Sequence, residues 1–165
     1  MKRPYLTLLV VAFFSMVATV SFAQKKERLN AANLKGIWQM CFYVSETPDS
    51  PSTLRAGNTF KILSDDGVIT NFTVIPGRGA IVTGVGTYKV VKPNILRESM
   101  KKNIHLPMLD GHDNDLEIKL SEDNNVMSVK FYIEKDSKGN VIDAWHYETW
   151  RRVEMPNVYP ADLVR

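Results

Sequence analysis

His146 and Glu148 stand two residues apart, so on an extended strand both side chains leave the same face. A carboxylate beside an imidazole can orient the ring as a general base. No nucleophile accompanies the pair: Gly-x-Ser-x-Gly, His-Glu-x-x-His and a Ser-x-x-Lys followed by its partner motifs are all missing. The other histidines, His105 and His112, lie near Asp110, Asp113 and Asp115, which are ligand types for zinc. His112, however, follows Asp110-Gly111, where Asp and Asn serve turns. The acidic run also lacks the oxygen spacing and closing Glu of a calcium loop. No metal and no cofactor is expected. Cys41 is the only cysteine and sits among Met40, Phe42 and Tyr43. It makes no intramolecular disulfide and reads as a buried, inert thiol. An enzyme is therefore not the expected class, and His146 with Glu148 is the one arrangement that would make it one.

Binding chemistry has more material. Phe42, Phe72, Tyr88, Trp145 and Tyr147, with Phe60, Phe131 and Trp150, are enough aromatic surface to line a cavity or to fill a core. Arg97 and Glu98 are neighbours, so a strand sends them to opposite sides. A charge inside a barrel must be paired or bound to a ligand, and an inward Arg97 suits a carboxylate. A solvated edge strand is the competing reading of the same two residues.

These residues are carried by a chain that alternates almost throughout. From Gly36 the period is two, with Gly36, Trp38, Met40, Phe42 and Val44 on the expected core face. Residues 45–57 read as a long surface loop. Asn58–Ser64 and Val68–Ile75 are strands joined by Asp65-Asp66-Gly67, a hairpin turn. Ala80–Val91 is a strand broken by Gly84 and Gly86, which mark a bulge or a close backbone approach. Ile95–Lys101 fits either a strand or a helix, and 102–114 a loop with a helical turn. Leu116–Leu120, Val126–Glu134 and 142–153 complete the pattern. Eight or nine short-spaced strands make an all-β fold, a single antiparallel up-and-down β-barrel of about eight strands, whose closure removes exposed edges.

Lys2 and Arg3, the apolar run Tyr5–Val20 and the small-residue close Ser21-Phe22-Ala23 have the layout of a secretory signal peptide. Cleavage is expected near Ala23/Gln24, giving an exported protein, periplasmic or secreted, with no transmembrane segment in the mature chain. The expected organisation is a signal peptide over 1–23, an N-terminal arm over 24–33, a barrel domain over 34–154 and a tail over 155–165. Lys2 and Arg3 are the only charges in the leader, so the formal charge falls from +3 to +1 when it is removed. A charge near zero gives no electrostatic footprint for nucleic acid.

Gly36-Ile37-Trp38 and the closing Trp150-Arg151-Arg152-Val153, with Gly86-Thr87-Tyr88, Arg97-Glu98 and Gly111-His112-Asp113-Asn114 between them, stand in a familiar order. The layout resembles the lipocalin-like (calycin) domains of unknown function, small exported proteins of Gram-negative gut bacteria. That resemblance implies a barrel end plugged by Trp38 under a basic residue of the closing strand. Arg151 and Arg152 point to opposite faces, so only one reaches the indole. It also implies an interior able to enclose one small ligand. The expected function is binding of a small apolar or amphipathic molecule, lined by Phe42, Phe72, Tyr88, Trp145 and Tyr147 and anchored by Arg97. The alternative is a filled barrel acting as an interaction module of the cell envelope, reached through the 45–57 and 102–114 loops. The sequence leaves the ligand and the oligomeric state open.

Overall fold

The computed structural model describes residues 30–50 and 52–154. The expected signal peptide, most of the arm and the tail lie outside them. A short helix α1 (Ala31–Leu34) leads into β1 (Gly36–Glu46), β2 (Arg55–Ala56), β3 (Thr59–Leu63), β4 (Val68–Ile75) and β5 (Gly79–Lys92). Then follow β6 (Ile95–Asn103), a 3₁₀ turn at Pro107–Leu109, β7 (Asp113–Leu120), β8 (Val126–Lys135) and β9 (Val141–Arg152). Each strand pairs antiparallel with its neighbour, and β9 returns to pair with β1. β2 is a two-residue addition beside Phe42 and Tyr43. The other eight strands therefore close an up-and-down barrel. Among the described residues no helix is long and apolar enough to cross a membrane.

The ambiguous 95–101 segment is a strand. Leu96, Glu98 and Met100 are buried, and the same phase continues through Asn114, Leu116 and Ile118 on β7. The glycines of β5 act as expected. Register shifts flank them on both sides, against β4 and β6. A Cβ on Gly86 would stand 2.8 Å from the Met100 Cα and closer still to the Ser99 carbonyl oxygen, so only glycine permits this approach.

One expectation about the core face fails. The β1–β9 register shifts between Met40 and Phe42, because Cys41 is an extra residue in a β-bulge. Trp38 and Met40 pair with Arg152 and Trp150, whereas beyond the bulge Tyr43 and Ser45 pair with Glu148 and His146. The inward phase therefore passes from even to odd residues, and Phe42 faces solvent at 46% exposure.

One end of the barrel is solid. Leu34, Trp38, Leu63, Ile69, Leu96 and Met127 are almost wholly buried there. The Arg152 guanidinium lies 4.2 Å from the Trp38 ring centroid. It donates to the carbonyls of Asn33 (2.6 Å), Lys35 and Asn124 (3.0 Å), and Trp38 Nε1 donates to Leu34 O at 2.7 Å. A buried indole N–H requires such an acceptor, and the arginine satisfies carbonyls where α1 ends.

Candidate functional site

Beyond Trp38 the interior changes character. A cavity of about 350 Å³ runs from Trp150 and Leu116 to Ser45, Asn58 and His105, and those last three residues are exposed. It is closed at the Trp38 end and open at the other. Lys61 on β3 and Glu98 on β6, only 3% and 6% exposed, meet across it with Nζ to Oε1 at 2.6 Å. Lys61 Nζ also sits 4.8 Å from the Trp150 ring centroid. Burial works against the Lys61 charge, but Glu98 and Glu148 outweigh it and hold the ammonium above its ordinary range. Lys61 is thus a charged, paired ammonium.

β9 sends Trp150, Glu148 and His146 into the same space. Glu148 Oε2 accepts from Trp150 Nε1 at 2.8 Å. Burial pushes the Glu148 carboxyl up, with Lys61 and the indole bond pulling the other way. The His146 ring stacks on Phe131 at 4.8 Å and 9°. Its desolvation lowers the pKa, and its Nε2 is buried without a hydrogen-bond partner. Asn71 Oδ1, from β4, is likewise buried and unpartnered. The Glu148 carboxylate is engaged by Trp150 rather than by His146, so the two do not form the oriented base that their spacing suggested.

The expected lining lies elsewhere. Phe72 stacks on Phe60 outside the barrel at 4.9 Å and 7°, because β3 and β4 turn Lys61, Ile69 and Asn71 inward instead. Trp145 (40% exposed) and Tyr147 are on the outer face of β9, gathered around Lys130 Nζ at 4.2 and 5.7 Å. Tyr88 is inside but at the solid end, where its hydroxyl donates to Ser64 O at 2.7 Å. Arg97 is outside: Asp115 takes it in two bonds of 2.6 and 2.8 Å, Asp113 stands at 3.3 Å, and its pKa is raised. Its neighbour Glu98 is the inward one. Phe42 is outside for the reason of the bulge. Of the barrel-end residues, Arg152 covers Trp38, while Arg151 is exposed and pairs with Glu154 at 3.3 Å. Among the described residues no three His, Cys, Asp or Glu side chains come together as metal ligands.

The family signature of the Domain of unknown function (DUF4488) matches residues 33–161. The chain belongs to that family. No curated protein matches it. Among solved structures, the DUF4488 chain is similar to the possum milk whey lipocalin trichosurin, crystallised at pH 4.6 with bound 4-ethylphenol. The identity is 16%, over 70% of this chain and 73% of that one, with a TM-score of 0.40. The closed barrel of this DUF4488 member rests on its own strand register.

Proposed function

We propose that this protein is an exported carrier or sensor that holds one small amphipathic molecule inside its barrel. The supporting observation is the cavity itself: it is open at one end and contains a paired Lys61–Glu98, a second carboxylate and two buried polar atoms without partners. An unpartnered buried polar atom costs about 1–3 kcal/mol, which a ligand's polar group would recover. Met40, Leu109, Leu116, Phe131 and Trp150 supply apolar surface to the same cavity. A wholly apolar ligand would leave the polar ones unanswered, so the amphipathic half of the expected range is the one favoured. The open volume counts against a filled barrel that acts only as an interaction module. Native mass spectrometry of the protein purified from its own host's envelope fraction tests the reading. The expected result is an added small mass that organic extraction removes. A bare mass, with no mass gained on re-exposure to the host's lipid and metabolite extract, overturns it.

A further inference from the structure

The charges around the cavity do not balance. Lys61 is matched by Glu98 at 2.6 Å, and that leaves Glu148, which faces the same space. Among the described residues, the Trp150 indole gives this carboxylate its one hydrogen bond, at 2.8 Å. The buried atoms without partners add to the same sign of demand. Asn71 Oδ1 is an acceptor, and His146 Nε2, buried without a partner, accepts in the tautomer that carries its proton on Nδ1. An anionic ligand would place a third carboxylate beside one ammonium, and like charges in a desolvated site repel strongly. A ligand that donates hydrogen bonds and carries positive charge answers all three groups at once.

We propose that the ligand is a small organic cation, a protonated amine on an apolar body, with Glu148 as its counter-ion and the Trp150 and Phe131 side chains against the body. This rests on the reading of the barrel as a binding site. A charge-assisted bond to a partly desolvated carboxylate is stronger than its neutral counterpart, so head-group chemistry should dominate selectivity among ligands of one size.

The test is calorimetric titration of the full chain with three probes that share a phenyl ring and differ in head group: 2-phenylethylamine, 2-phenylethanol and phenylacetate. The amine is expected to bind at least about tenfold more tightly than the alcohol, and phenylacetate most weakly. Glu148→Gln should bring the amine-to-alcohol ratio to within about threefold, whereas Arg97→Gln, on the outer face, should leave the wild-type ratio in place. Equal binding of alcohol and amine, tighter binding of phenylacetate, or a ratio unmoved in Glu148→Gln would overturn the cation while leaving a binding barrel. Binding of none of the three would overturn both. The wild-type ratio carries the test even if the Glu148 variant does not fold.

Discussion

Arg151 and Arg152 are adjacent and chemically identical, yet only the second is tied into the structure. Arg152→Ala removes an indole contact and charged donors to three carbonyls, and should cost about 2–3 kcal/mol in urea unfolding. Arg151→Ala removes a solvated pair with Glu154 and should stay within about 0.5 kcal/mol. Glu148 gives the second residue-scale test. Its folded pKa is raised, first by burial, so its contribution favours the folded state below the unfolded pKa and is lost as pH rises through the folded one. Gln keeps the size and the acceptor without the charge. Glu148→Gln should therefore gain stability relative to wild type as pH rises above the ordinary carboxylate range, read as diverging urea midpoints. A variant that instead loses ground over that rise would make the carboxylate–Lys61 attraction the larger effect. At this scale the sequence was legible in part. One arginine stacking on Trp38 was readable from the opposite faces of neighbouring strand residues, but Glu98 rather than Arg97 as the inward charge was readable only by following Leu96 and Met100, which share its phase.

At the scale of elements, alternation located every long strand, with the 95–101 segment open between strand and helix, but not which face of each strand was inside. Two causes account for that. Cys41 shifts the phase of β1 through a bulge, and apolar residues on both faces from Ile37 to Val44 hide the shift. On β9 aromatics occupy both faces, so Trp145 and Tyr147 compete with Trp150 by residue type, and only the pairing with β1 decides. Three of the five aromatics expected to line the cavity failed through those two effects. Glycine was the better signal. Gly86→Ala forces its Cβ against the β6 backbone at Ser99 and Met100. Thermal and urea denaturation should show a loss of about 1–3 kcal/mol, the usual cost of overpacking.

For the whole molecule, closure gives two unlike ends: one sealed by Trp38, Arg152 and the core beneath them, the other open above a polar interior. The Lys61–Glu98 pair spans that interior from β3 to β6, with β4 and β5 between them around the barrel. Lys61→Met strands a buried carboxylate and should destabilise by about 3–5 kcal/mol, whereas Lys61→Met with Glu98→Gln should recover most of that loss. Urea unfolding of the two variants measures the difference. Polar residues inside are what sequence reading handles worst, since an isolated Lys in a strand looks like a solvent-facing one until the barrel is closed around it.

The central claim, a binding site inside the barrel rather than on its aromatic outer surface, is most directly tested by the three tryptophan indole N–H resonances in a ¹H–¹⁵N correlation spectrum during titration with 2-phenylethylamine. The Trp150 resonance, hydrogen-bonded to Glu148 beside the cavity, should move with the titration, while Trp38 at the sealed end and Trp145 on the outer face hold still. Movement of Trp145 with Trp150 unchanged would contradict the account and put the site on the outer face of β9.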